Sequence, residues 1–465
     1  MKKVIIIGAG PAGLFAAYEL CNNPNLEITI FDKGKKVKER NCPKKDTNYC
    51  SNCNPCHILC GVGGAGTFSD GKINFHYEVG GDLLQFRNLE ETEELLEKIK
   101  KTFINFGAKP EDYFEPDGKA TELARKAKKN GVRFLPLKQL HIGSDKLPKI
   151  IDNMTEFLQK KGIIFKTDTE VKDIIIESNK VTGIKTDEDI KADYVIIAPG
   201  RSGADWFREM AKKQNLKIEF QSVDVGVRVE VPNEVMDEIT EINYDPKFYI
   251  VTERDDLIRT FCTNPKGFVS IENYGKFICV NGHAMKDKKS KNTNFAFVVK
   301  INLTEPVEDT ISYGEKIAEL ATQIGGGKPI VQRLKDLKRG KRSNWNRINK
   351  SYVKPTLKDI TPGDISMALP SRVVEDIKEG LEKLAKVIPG VDSDSTLLYA
   401  PEIKFYSLRL AVNNNMETEI QNLFACGDGV GVSRGINGAA FTGLITAEEI
   451  NKREKEIKGK QERLN

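Results

Sequence analysis

The stretch KKVIIIGAGPAGLFAAYEL, residues 2–20, decides the fold. KKVIIIG is short and continuously apolar, the pattern of a strand buried on both faces of a parallel sheet. GAGPAG then sets Gly8, Gly10 and Gly13 in the spacing G-x-G-x-x-G, and PAGLFAAYELCN continues with apolar residues at helical intervals. The first glycine permits a tight turn, the second lets backbone approach a pyrophosphate, and the third lets the helix close on the strand. The helix N-terminus, with Pro11 and Ala12 in its first turn, supplies amide donors and partial positive charge. LEITIFDKG reads as a second strand ending at Asp32 and Lys33, nineteen residues past Gly13, where a carboxylate can accept from ribose hydroxyls. Strand, turn, helix, strand and terminal acid predict a dinucleotide-binding βαβ unit.

At 465 residues the chain exceeds one simple core and predicts either two to three domains or one large α/β unit with an insertion. Lys and Arg number 72 against 67 acids, with the signs mixed along most of the chain, so the net charge of +5 implies a solvated surface and no nucleic-acid partner. No apolar run is long enough to span a bilayer. The N-terminus imitates a signal peptide, but its glycines have the better explanation above and the segment reads as mature protein. Of nine cysteines, five fall between Cys42 and Cys60, while Cys21, Cys262, Cys279 and Cys426 are isolated. That distribution suits a reducing compartment, with the cytoplasm as the expected location.

Further along, amphipathic helices are expected near 91–106 and 120–130, with strands at VRFLPL and IIFKTD. Residues 169–200 read as two antiparallel strands joined through ESNK, then an apolar strand stopping at Pro199 and Gly200. From 206 to 395 short strands mix with helices and loops, after which strand, glycine loop and helix return. The expected organisation is a dinucleotide-binding domain in two parts, 1–205 with a cysteine-rich insertion at 42–60, and 396–465, enclosing a substrate domain at 206–395. Its fold class is α/β: a three-layer Rossmann-type domain with a mostly parallel sheet plus a hairpin or meander, and an inserted α+β domain. The charged tail from Asn451 is expected to fray.

FAD rather than NAD is indicated by LFACGDGVGVSRGINGAAFTGLITAEE. It sets Gly427 and Asp428 after a short strand and Gly435, Asn437, Gly438 and Gly443 at the start of a helix, where small residues let its N-terminus approach a flavin. GAGPAGLFAAYEL, IFDKG, DYVIIAPGRSG and this last stretch, in that order, resemble FAD-binding oxidoreductases of the glutathione-reductase type. GVGGAGTFSDGK, QLHIGSDKL, RTFCTNPKGFV and VNGHAM resemble a branch of poorly characterised FAD-dependent dehydrogenases, and the likeness covers nearly the whole chain. The resemblance implies Gly8, Gly10, Gly13, Asp32 and Asp428 as FAD contacts, with Arg40 and Gly200 as further candidates. A second glycine fingerprint for NADPH is absent, since GGGKP at 325–329 does not follow a strand with a downstream acid, so a nicotinamide donor would bind without its own Rossmann unit.

GVGGAGTFSDGK follows the cysteines. Glycines 61, 63, 64 and 66, with Ala65, let backbone amides face a flavin and stabilise its reduced form. Asp70 and Lys72 are the polar groups this loop delivers as catalytic candidates; the alternative is a plain turn at Asp70 and Gly71. His141, His283 and Arg409 are further proton donors or clamps, and Glu402 in APEIKFYSLRL is a third catalytic candidate. The resembled branch has an acid, Thr and Arg there, whereas Glu402 is followed by Ile and Lys.

Cys50, Cys53, Cys56 and Cys60 have the spacing C-x2-C-x2-C-x3-C, with Cys42-Pro43 upstream. Cys42, Cys50, Cys53 and Cys56 could bind a 4Fe-4S cluster; zinc on any four of these five thiolates, or free thiols or a redox disulfide with Cys60 as the reactive one, remain open. The expected function is an FAD-dependent oxidoreductase acting on a small organic substrate, with NAD(P)H or ferredoxin as electron donor. The alternatives are a reductase of isolated C=C bonds similar to the geranylgeranyl reductases, and a flavin-bound sensor or binding protein.

Overall fold

A computed structural model of the chain describes residues 1–43, 53–69, 71–143, 145–285, 288–305, 309–405 and 408–464. The chain forms two compact units: one from Met1–Phe114, Lys138–Glu219 and Ser407–Asn465, the other from Glu115–Leu137 and Phe220–Tyr406.

The first unit is built on a five-stranded sheet in the order Leu423–Ala425, Tyr194–Ile197, Lys2–Ile7, Leu26–Phe31, Ile164–Lys166, every neighbour parallel. The first strand sits at its centre, with Val4 opposite Tyr194 and Ile7 opposite Phe31. Val4, Ile6, Val195 and Ile196 are fully buried, as continuous apolar strands covered on both faces must be. The helices Pro11–Leu20 and Gly435–Leu464 pack so closely that a Cβ on Gly443 would stand 2.2 Å from the Ala12 carbonyl oxygen.

The hairpin expected at 169–200 is there, Asp173–Glu177 against Lys180–Lys185, turning at Ser178 and Asn179 with φ of 49° and 60°. Such paired positive values suit the right-handed twist of the strands. A third strand, Asp189–Lys191, extends the hairpin into a small sheet. The tail from Asn451 does not fray as expected: the last helix runs on to Leu464, Tyr194 Oη donates to the buried Glu454 at 2.8 Å, and Arg453 holds Glu417 through two bonds of 2.6 and 2.7 Å.

The second unit carries an eight-stranded, mostly antiparallel sheet whose central strand is Val223–Pro232. The sequence VDVGVRVEVP alternates with period two. Val223, Val225, Val227, Val229 and Val231 join the main core with Ile377 and Leu381 of the helix Ser371–Ala385. Asp224, Arg228 and Glu230 occupy the other face and are equally buried. The helix Gly118–Lys129 and strand Val132–Leu135, preceding the second unit's longer segment, belong to this unit because the strand pairs with Lys247–Val251.

Candidate flavin site

Four of the five parallel strands end at the residues singled out above: Ile7 leads to Gly8, Phe31 to Asp32, Ile197 to Gly200, and Ala425 to Gly427. The carboxyl ends of strands in an open parallel sheet are where such folds bind ligands. Gly8 has φ 107°, and a Cβ there would lie 2.1 Å from the Ala198 carbonyl oxygen; one on Gly13 would lie 2.0 Å from that of Gly8. Beside Gly10 the nearest neighbour to such a Cβ is the Gly64 Cα at 3.9 Å, an ordinary contact, so this turn is less crowded than Gly8 or Gly13.

Asp32 is fixed by its own loop. Its Oδ2 accepts from the Ala9 amide at 2.9 Å and its Oδ1 from the Gly34 amide at 2.8 Å. Burial holds its carboxyl above the usual range, against the opposing pull of those amides and of nearby Arg40. Lys33 is tied to the next strand end by a 3.1 Å bond to the Ser202 carbonyl.

The glycine loop lies on the first turn. The Gly63 amide donates to the Ala9 carbonyl at 2.8 Å, and a Cβ on Gly64 would be 3.1 Å from the Gly10 Cα. The short turn Ala65–Phe68 follows, with Gly66 against Ile436 of the last helix. Arg40 is what holds this loop. Its guanidinium, 5% exposed, donates to the carbonyls of His57, Ile58, Val62 and Gly64 and to Thr67 Oγ1 at 2.7–3.2 Å. These bonds use all five of its donors. Arg40 thus pins backbone and has no N–H to spare for a phosphate, and burial lowers its pKa to about 10.

From the C-terminal segment, Asp428 accepts from Ser433 Oγ at 2.9 Å and from the Gly435 amide at 2.8 Å, with Arg201 Nε 3.7 Å away. Gly438 abuts Gly80: a Cβ there would meet the Gly80 carbonyl at 2.0 Å. Asn437 is 4% exposed, and neither its amide oxygen nor its nitrogen has a hydrogen-bond partner among the described residues. A buried amide at the start of a helix, without a partner among the described residues, fits a ligand with polar groups of its own. Arg201, Ser433 and Gly80 were missed by sequence reasoning; the adjacent pair Gly80-Gly81 was the one available signal.

The catalytic candidates are divided between the two units. Lys72 opens the strand Lys72–Phe75 opposite His141 in the first unit, and Asp70 lies outside the described residues. Arg409 bonds Gln85. Glu402 belongs to the second unit, is 0% exposed, and is clamped by Arg228 at 2.6 and 2.7 Å and by Lys404 at 2.8 Å. Despite the cost of burial, those two cations hold its carboxyl below the usual range. It is therefore an interior ion-pair member with no face to offer a substrate, and His283 is likewise in the second unit.

The thiolate reading fares differently from the flavin reading. Cys50 lies outside the described residues, and no three His, Cys, Asp or Glu side chains among the described ones gather to hold a metal. Cys42, Cys53 and Cys56 therefore do not by themselves form a ligand set. Cys60 is buried, and its amide donates to the Cys56 carbonyl at 2.9 Å.

The Rossmann-like sheet and two family-model matches define the class at the level of the fold: a Rossmann-type unit together with a domain like those of FAD-dependent proteins. Residues 222–404 match a family model described as FAD-dependent protein, C-terminal domain-like, and residues 6–37 match an NAD(P)-binding Rossmann-like domain. No curated protein matches. Among solved structures, the chain is similar to an oxidoreductase from Methanosarcina mazei, with 14% identity over 96% of this chain and 100% of that one and a TM-score of 0.37. It is also similar to an L-proline dehydrogenase from P. horikoshii, with 13% identity over 97% and 93% and a TM-score of 0.41. A pyridoxine 4-oxidase from Mesorbium loti gives 11% identity over 97% and 99%, with a TM-score of 0.45. Among the described residues no helix is long and apolar enough to cross a membrane.

Proposed function

We propose that this FAD-dependent enzyme is a dehydrogenase or reductase that passes a hydride or electrons between flavin and a small organic substrate. The observation that carries the reading is the convergence of Gly8, Asp32, Gly200 and Gly427 at the carboxyl ends of four parallel strands, beside the unpaired Asn437 amide. FAD, when bound, supplies the hydride and electron chemistry. The amides after Gly8 and the N-terminus of the helix Pro11–Leu20 would hold its pyrophosphate. Asp32 keeps lone pairs beyond those given to Ala9 and Gly34 and would accept from ribose hydroxyls. Asp428 would orient the start of the last helix toward the cofactor, and Asn437 would give its free amide to it. Gly63, Gly64 and Gly66 would present backbone amides, and Lys72, at the end of that loop, would hold a proton.

No step is routed through a cysteine-bound metal, because the described thiols do not converge. Iron, sulfide and zinc analysis of anaerobically purified protein tests this, and one cluster or one zinc per chain would restore the metal-site reading of the cysteines. The function itself is tested by purification and stopped-flow reduction. The protein should be yellow with one FAD per chain, and its flavin should be bleached by NADH, NADPH or reduced ferredoxin. A chain that neither retains nor rebinds FAD would refute the proposal.

A further inference from the structure

Residues 339–358, RGKRSNWNRINKSYVKPTLK, contain seven cations and no acid, in a chain whose whole net charge is only +5. Arg347 reaches Asp336 at 3.9 Å. The other six, Arg339, Lys341, Arg342, Lys350, Lys354 and Lys358, are exposed and in no ion pair among the described residues. Chain-wide averaging hides this patch.

The segment is firmly placed. The Ser343 amide donates to the Gly363 carbonyl at 2.9 Å, Gln332 Nε2 to the Lys341 carbonyl at 2.9 Å, and Asn344 caps the turn Trp345–Asn349. Ile348, Val353 and Ile360 are buried in a satellite core with Val331 and Tyr399. With its aliphatic side chains so used, the segment turns its largest ones outward: Trp345 is 49% exposed and Tyr352 79%, and Met367 in the adjoining turn is 65% exposed. Exposed apolar side chains next to cations that make no ion pair among the described residues match a surface that is anionic outside and apolar just beneath.

We propose that this face of the second unit docks on an anionic lipid bilayer. The cations would meet headgroup phosphates and carboxylates, and Trp345, Tyr352 and Met367 would enter the boundary between headgroups and acyl chains. Single-stranded nucleic acid also offers phosphates, and bases on which Trp345 and Tyr352 could stack, but it gives the methionine no role. The bilayer gives a role to the six exposed cations and to Trp345, Tyr352 and Met367.

The test uses the full chain with its FAD and vesicles of phosphatidylcholine, alone or mixed with phosphatidylserine. The protein should sediment with the mixed vesicles only, and added salt should release it. In a Trp206→Phe background Trp345 is the one tryptophan left of two, and its emission should shift to the blue. Lys341→Glu with Arg342→Glu should weaken partitioning more than about tenfold, at about fivefold or more per charge. Flavin content and melting temperature should not change. Failure of the parent chain to sediment with mixed vesicles overturns the proposal, as does equal sedimentation of the double variant. Quenching of Trp345 by a single-stranded oligonucleotide without vesicle binding would assign the patch to nucleic acid instead.

Discussion

Arg40 and Asn437 invert the roles that residue type suggests. An arginine beside a dinucleotide fingerprint invites a phosphate, yet its five donors are all taken by carbonyls and one hydroxyl. Arg40→Gln should therefore act first on folding, lowering stability by about 2–4 kcal/mol through unsatisfied carbonyls, with FAD lost only as the glycine loop loosens. Denaturant unfolding of the FAD-free protein reads this effect. Asn437 is the converse. Since its amide lacks a partner among the described residues, Asn437→Ala should leave the FAD-free protein as stable or more so while weakening FAD about tenfold. Fluorescence titration with FAD, beside the same unfolding assay, separates the two. The sequence could place both residues near the cofactor, but which one faces it depends on where their partners lie, and those partners are scattered along the chain.

At the scale of elements, the alternating strand Val223–Pro232 hides Asp224, Arg228 and Glu230 on a buried face, so Glu402 in the neighbouring strand meets cations inside the sheet rather than a substrate. Local pattern showed the strands; only register, Gly226 opposite Glu402, showed where the carboxylate goes. The same unit contains a pH-sensitive joint. Asp376, in the helix Ser371–Ala385, is pushed up to about 6 by burial and by the Asp256 carboxylate. The folded form thus keeps a proton that the unfolded chain releases, and stability falls as pH rises between the ordinary value of 3.8 and about 6. Asp376→Asn should remove that slope and gain on the order of 1 kcal/mol at neutral pH. Unfolding of parent and variant across this window decides it; an unchanged slope would assign the pH dependence elsewhere. The strands at the sheet's centre were legible from their apolar runs. By contrast, the assignment of Glu115–Leu137 to the second unit rests on the pairing of Val132–Leu135 with Lys247–Val251, a contact that no local pattern announces.

For the whole molecule, the flavin-site unit is assembled from three chain segments while the other unit draws on two. Ligand linkage follows: FAD at a hundredfold excess over its dissociation constant should add about 2.7 kcal/mol to the unit that binds it and leave the other transition in place. Calorimetry with and without added FAD reads both transitions. A chain ending before Leu408 should keep the second unit's fold and bind no FAD, because Asp428, Asn437 and the helix that packs on Ala12 are gone.

The strand Leu423–Ala425 borders Tyr194–Ile197 at the rim of the parallel sheet, and its consequence appears on the ribosome. During synthesis every residue of the second unit emerges before that strand does, so the growing protein carries a dinucleotide fold with an open flank and half a cofactor cradle. Until that strand emerges the open flank is a site where chaperones and proteases compete for the growing chain.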